Sequence, residues 1–339
     1  MISLIGKTPK ELADEWSLSP PFRAKQLFKN LYSGIMNFDE MSDLPKTLRE
    51  TLKANGTFFS AELLRERVSA DGTVKRTLRF PDGAVIEAVV LTTDKGRKTA
   101  CLSTQVGCAM GCRFCHTALG GLKRNLSAAE IVEEMILLRQ KSGLISHIVF
   151  MGMGEPLNNL DEVVKAVEIL SSPECCHFSK RKITISTCGV VPGILRMAEE
   201  KMPMKLAVSL NAADNKKRTQ LMPITLKYPL EELKDALLHY QDAVGRRITF
   251  EYVLIDEFND SIGDLTALCR FLNGFHTPLV NLIPWNPTPN LSFKSPSNNR
   301  VHRFLQAAAD NGINMTLRRS RGRDIEGACG QLAGKDSEK

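Results

Sequence analysis

The residues with the clearest chemical potential are Cys108, Cys112 and Cys115, spaced C-x3-C-x2-C within the run CLSTQVGCAMGCRFCHTALGG. Three thiolates within eight residues can wrap one metal centre. A [4Fe-4S] cluster has four irons, so three cysteines leave one iron without a protein ligand, free to chelate a small molecule. A structural zinc site is the other reading of such spacing; it needs four closed ligands, and His116 or a distant cysteine would supply the fourth. Phe114, between the second and third cysteines, suits an apolar cover over a cluster.

These cysteines must be held by the elements around them. After Lys98 short β-rich runs alternate with helical segments, the pattern of parallel βαβ construction. The runs place strands near 98–103, 146–151, 182–187, 205–209, 247–254, 279–283 and 314–318. Helical periodicity covers 127–141, 160–171, 191–200, 229–243, 261–272 and 298–311, and Ser127 with Glu130 forms a capping-box start. The expected fold is therefore α/β, an open TIM-type βα barrel of about six βα units, with reactive groups at the C-terminal strand ends. Residues 1–60 predict a small helical domain, with the helix pattern interrupted at Ser19-Pro20-Pro21. Residues 61–95 predict a short β-meander linking the two larger parts, turned at Asp71-Gly72 and Asp82-Gly83. The barrel and a C-terminal loop would fill 96–333, leaving a polar tail at 334–339.

Composition narrows the setting. The chain has 339 residues, 43% hydrophobic, enough for a full core. Its apolar start is far shorter than the ~20 residues of a membrane span, so a soluble, cytoplasmic protein without a secretory signal is expected. Nine cysteines in such a chain point to metal binding or catalysis rather than a disulfide scaffold. The net charge of +7 permits a polyanionic partner without requiring one.

The C-x3-C-x-aromatic-C motif resembles that of the radical S-adenosylmethionine superfamily. Further segments, MGMGEPLNNL from Met151, STCGVVPGI from Ser186, VSLNAADNKKR from Val208, NLIPWNP from Asn281 and RDIEGACGQLAG from Arg323, are similar to those of the bacterial dual-specificity RNA methyltransferases. The resemblance runs from FRAKQLFKNLY near the N-terminus to the last dozen residues. It implies methylation of carbon 2 of an adenine in 23S ribosomal RNA and in tRNA, one [4Fe-4S] cluster on Cys108, Cys112 and Cys115, and two S-adenosylmethionine molecules per turnover. It implies that Gly154, Glu155, Ser186, Ser209, Leu210, Asn211 and Asn286 bind the cofactor. His116 departs from the family pattern, which has a small hydroxyl residue there.

Adenine C2 is an electrophilic carbon with no acidic proton, so polar methyl transfer finds no nucleophile. The resemblance implies a radical route in which Cys329 is first methylated, a radical removes hydrogen from that S-methyl group, and the methylene radical adds to the base. It further implies that Cys101 resolves the crosslink by forming a disulfide with Cys329, and that Glu87 accepts the C2 proton. As ordinary residues, Cys101 would be a small buried apolar side chain, Cys329 a packed loop thiol and Glu87 an exposed strand glutamate. Cys175, Cys176, Cys188 and Cys269 match no cluster spacing and are read as structural.

Basic residues at Lys123 and Arg124, Lys180–Lys182, Lys216–Arg218, and Arg318, Arg319, Arg321 and Arg323 are expected beside the barrel mouth, where they would position RNA through its phosphates. Other expected partners are 23S rRNA and tRNA as substrates and an electron donor such as flavodoxin or ferredoxin; no membrane association and a monomeric state are expected. Two other readings stand beside this one. One is the resistance-type relative that methylates C8 of the same adenine; the other is a non-catalytic iron-sulfur RNA-binding sensor.

Overall fold

A computed structural model describes residues 1–334; the polar tail expected at 334–339 lies outside them beyond Gly334. Ten strands form one sheet whose spatial order follows the chain: β1 (Glu62–Val68), β2 (Val74–Arg79), β3 (Val85–Thr92), β4 (Lys98–Cys101), β5 (His147–Phe150), β6 (Ile183–Thr187), β7 (Lys205–Ser209), β8 (Thr249–Leu254), β9 (Leu279–Pro284) and β10 (Met315–Leu317). From β4 to β10 every neighbouring pair is parallel. Helices Ala128–Ser142, Leu160–Ser171, Val191–Glu199, Leu230–Val244, Ile262–Leu272 and Asn298–Asp310 connect these strands. This is the open barrel of six βα units expected from the alternation of β and helical patterns.

The meander departs from the expected linker. Strands β1 to β3 pair antiparallel with one another and β3 pairs antiparallel with β4, so they extend the barrel's own sheet. The β3 run VIEAVVLT is buried through Val90, as a strand inside a larger sheet must be. Asp71-Gly72 and Asp82-Gly83 make its turns, with both glycines at positive φ.

The N-terminal helices Pro9–Glu15, Phe22–Tyr32 and Lys46–Asn55 enclose a small core of Leu4, Leu12, Leu27, Phe28, Leu31 and Leu52. Ile2–Ser3 pairs with Gly56–Thr57 and closes the unit. Glu133, on the first barrel helix, ties this unit to the barrel. Its carboxylate accepts from Ser3 Oγ at 2.7 Å, Ser60 N at 3.0 Å and Ala61 N at 2.9 Å.

Candidate active site

The segment after β4 runs into a two-stranded ribbon, Gln105–Gly107 against Leu122–Asn125, that encloses the cysteine loop. The loop is pinned along its length. Cys108 N donates to Gly121 O (2.9 Å), Arg113 N to Leu221 O (2.9 Å), Cys115 N to Cys112 O (3.1 Å) and His116 N to Gly330 O (2.7 Å). The indole of Trp285 donates to Phe114 O (3.1 Å).

Cys108, Cys112 and Cys115 face one cavity at the C-terminal strand ends, whose walls include Gly154, Glu155, Ser186, Ser209, Asn286 and Cys329. Burial pushes the Cys108 thiol up to about 12 and also raises Cys112 and Cys115. A cationic metal centre is what would hold three such sulfurs as thiolates. Among the described residues no three His, Cys, Asp or Glu side chains converge as ligands of a single metal ion would. In a four-iron cluster each thiolate takes its own iron, so three sulfurs spread around one cavity wall fit that group. The side-chain oxygen of Asn286 is buried with no hydrogen-bond partner among the described residues, and Asn286 lines this cavity, so an acceptor is available there for a ligand's donor.

The expected cofactor residues divide into two groups. Gly154 adopts φ +101°, and a Cβ there would lie 2.6 Å from Gln105 Cβ, so only glycine fits the turn. Glu155 holds that turn: its carboxylate accepts from Leu157 N (3.0 Å) and Cys188 N (2.8 Å), while its own N–H donates to Gln105 Oε1 (2.8 Å). Burial nevertheless raises its pKa. Ser186, Ser209 and Asn286 also line the cavity. Leu210 and Asn211 do not. Leu210 is packed in the core, and Asn211 accepts from Val253 N (2.9 Å) at φ 58°, serving the backbone instead.

Cys101 and Cys329 share the wall of an adjoining cavity with Cys115, Thr117, Met151 and Arg318. Burial, then the nearby Cys329, pushes the Cys101 thiol up to about 12. The loop bearing Cys329 is gripped on several sides. Asn286 Nδ2 donates to Cys329 O (3.0 Å), Thr117 Oγ1 to Leu332 O (2.7 Å) and Gln331 Nε2 to Pro287 O (2.8 Å). Glu87 is buried on β3, not exposed. It pairs with Lys75 at 2.9 Å and accepts from Ala333 N at 2.7 Å, beneath the Cys329 loop.

Several basic residues expected at an RNA surface are spent internally. Arg218 is buried, donating to Leu210 O (3.1 Å), Cys188 O (2.6 Å) and Thr225 Oγ1 (2.8 Å). Arg124 pairs with Asp82 (2.6 Å) and Glu130 (2.8 Å), and Lys217 with Asp264 (2.7 Å). Arg318 points into the barrel, 3.4 Å from Glu251, where both line the cluster cavity. The sequence did carry a signal for Glu251: a lone acid inside the strand run TFEYVL faces the lumen.

Arg318, Glu251 and Met151 also line a third cavity of about 820 Å³ that opens at the opposite, N-terminal strand ends. Its walls carry Arg97, Arg181, Lys205, Arg246 and Arg247, none with a carboxylate partner among the described residues. His147 sits there with its pKa lowered by burial and by Arg97, Lys205 and Lys182. No sequence pattern groups these cations, since they begin or precede four different strands.

An open βα barrel with three cysteines in this loop defines a class. Residues 102–269 match the radical SAM superfamily, and residues 15–57 match the ribosomal RNA large subunit methyltransferase N-terminal domain. A radical SAM methyltransferase from Sphaerobacter thermophilus superposes with TM-score 0.93 at 42% identity, over 99% of this chain and 100% of that one. The "Dual-specificity RNA methyltransferase RlmN" of Syntrophobacter fumaroxidans is 44% identical over 92% of this chain and 91% of its own. That named "Probable dual-specificity RNA methyltransferase RlmN" in Aquifex aeolicus is 46% identical over 92% and 91%. The chain belongs to this RlmN family of radical SAM methyltransferases, transferases that use a [4Fe-4S] cluster and S-adenosylmethionine.

Proposed function

We propose that the protein methylates carbon 2 of an adenine in 23S rRNA and in tRNA, with Cys329 as methyl carrier and Cys101 as resolving thiol. The observation that carries this reading is the adjacency of three features. The three-cysteine cavity adjoins the Cys101–Cys329 cavity, and both meet the basic vestibule at Met151 and Arg318.

Cys108, Cys112 and Cys115 hold the cluster, and the Gly154 turn, Ser186, Ser209 and Asn286 hold the cofactor. When bound, these two groups supply a carbon-centred radical, the chemistry that an electrophilic adenine carbon requires. Cys329 bears the methyl group and then the methylene that bonds to C2. Once the adduct has given its C2 proton to a base and its unpaired electron to a one-electron acceptor such as the oxidised carrier, Cys101 sulfur attacks Cys329 sulfur; an S–S bond forms as the S–C bond breaks, and the carbon keeps that electron pair, takes up a proton and stays on the base as methyl. Two electrons from a thiol reductant restore both thiols. In this conformation Glu87 anchors the Cys329 loop, so its part as proton acceptor requires that loop to shift.

RNA enters from the vestibule, its phosphates on Arg97, Arg181, Lys205, Arg246 and Arg247. The target base leaves its stack to reach the lumen. The helical unit at 1–60 gives a second RNA contact. A low-potential carrier, flavodoxin or ferredoxin in type, supplies electrons, and the protein acts as a monomer. No helix among the described residues is long and apolar enough to cross a membrane. Nine free thiols suit a reducing cytoplasm.

The test is peptide mass spectrometry after anaerobic incubation with isotope-labelled S-adenosylmethionine and reductant. Labelled methyl on Cys329, absent from Cys329→Ala, is the expected result. Label on another residue contradicts the assignment.

A further inference from the structure

The cysteine loop reaches the surface in one place. Ala109, Gly111 and Arg113 are exposed between the half-buried Cys108, Cys112 and Cys115. The ribbon beyond Gly121 flanks the loop on one side. The short helical turn Pro223–Leu226 flanks it on another: a Cβ on Gly111 would lie 3.6 Å from Pro223.

Large apolar side chains stand out from this frame. Leu119 is 52%, Leu122 42% and Leu226 77% exposed. Next to Leu122 and Leu226 in the chain, Lys123 and Lys227 are exposed, as is Lys216 on the helix Asn215–Leu221 that leads into the Pro223–Leu226 turn, and none of the three has a carboxylate partner among the described residues. No Asp or Glu occurs in 108–126 or 215–230. An apolar centre with a rim of one charge sign is the anatomy of a transient protein interface, with charge steering the encounter.

We propose that this face docks the acidic electron-carrier protein that reduces the cluster. The inference rests on the cluster reading above and deepens it. Electron transfer slows steeply with distance, so a carrier gains by approaching where the ligand loop itself is exposed, at Ala109, Gly111 and Arg113. The carrier's flavin or iron-sulfur centre gives up one electron and the cluster gains it; no atom is transferred. RNA is the poorer occupant, because its phosphates need no exposed leucines, whereas five cations without carboxylate partners among the described residues, Arg97, Arg181, Lys205, Arg246 and Arg247, gather in the vestibule at the other end of the barrel.

The experiment uses cluster-loaded protein, reduced flavodoxin as the probe and no RNA, with cluster reduction followed by electron paramagnetic resonance and binding by calorimetry. Leu226→Glu and Lys227→Glu are compared with the wild type and with Leu144→Glu, on a distant exposed residue. The first two should weaken flavodoxin binding and slow cluster reduction by it tenfold or more. Reduction by dithionite, RNA affinity and the Leu144→Glu control should not change. Wild-type rates with flavodoxin in both variants overturn the proposal, and so does lost RNA affinity with reduction intact. A protein that shows the expected pattern yet methylates no RNA refutes the functional reading and supports this one.

Discussion

Replacing Lys75 with Met tests how the strands β1 to β3 serve the Cys329 loop. Lys75 and Glu87 form an ion pair at 2.9 Å with side chains only 5% and 6% exposed. Lys75 Nζ also donates to Glu326 O (3.2 Å), and Glu87 Oε2 accepts from Ala333 N (2.7 Å), so the pair grips the chain on both sides of Cys329. Removing one partner of a buried pair costs about 3–5 kcal/mol because the other charge is stranded. The backbone donors left to Glu87 put the expected loss at the lower end, about 3 kcal/mol, or roughly a hundredfold in the unfolding constant. The double variant Lys75→Met/Glu87→Leu strands no charge and should recover to within about 1 kcal/mol of wild type. It still lacks the acceptor for Ala333 N–H and the donor to Glu326. Equilibrium urea unfolding measures the first effect. Amide exchange at 330–334 and iodoacetamide alkylation of Cys329 in the unloaded protein measure the second. The double variant should be nearly as stable as wild type yet exchange and alkylate faster. A loss below about 1 kcal/mol in Lys75→Met, or a double variant with a wild-type loop, would refute the reasoning.

Glu134 is buried, accepts from Ser103 N (2.8 Å), and has one oxygen with no partner among the described residues. Burial holds its pKa well above the ordinary 4.5. The folded state thus keeps a proton that the unfolded chain loses, and stability falls as pH rises from about 4.5 towards the raised value, by about 1.4 kcal/mol per unit. Urea unfolding at pH 5 and 7 should show Glu134→Gln without this slope; a gap between the two proteins that ignores pH contradicts it. Gly154→Ala should lower cofactor affinity at least tenfold with helix content unchanged, because its Cβ would meet Gln105 and its φ of +101° disfavours a side chain; equilibrium dialysis on cluster-loaded protein is the check. Lys205→Ala and Arg247→Ala should each weaken RNA binding and flatten its logarithmic salt dependence by roughly 0.7–0.9. An unchanged slope in filter binding would move RNA off the vestibule.

The sequence made the barrel legible because its strands and helices carry separate periodicities, as in HIVF at His147–Phe150 against the stripe of 160–171. It made the cluster loop legible because three ligands lie within one loop. The meander was harder to place. Hairpin turns at Asp71-Gly72 and Asp82-Gly83 reveal strands but not their neighbour, and only the pairing of Val89 with Cys101 shows that they extend the barrel. Charge was misread for a related reason. Arg218 and Arg319 look alike in sequence, yet the first is a buried brace for four carbonyl or hydroxyl oxygens. The vestibule cations are scattered over 150 residues and meet only through the closure of the sheet. Leu210 and Asn211 entered the expected cofactor set with Ser209 through the resemblance, yet they lie just past the end of β7, where Leu210 packs in the core and Asn211 holds the backbone of β8.

The cavity of Cys108, Cys112 and Cys115 opens to Cys329 and to a basic vestibule, and we propose that an adenine carbon is methylated there. Nucleoside mass spectrometry of unmodified 23S rRNA and tRNA, after anaerobic incubation with cluster-loaded protein, S-adenosylmethionine and reductant, tests it most directly. Appearance of 2-methyladenosine, lost in Cys329→Ala, is the predicted result. 8-Methyladenosine, or cofactor cleavage with no methylated base, would contradict it.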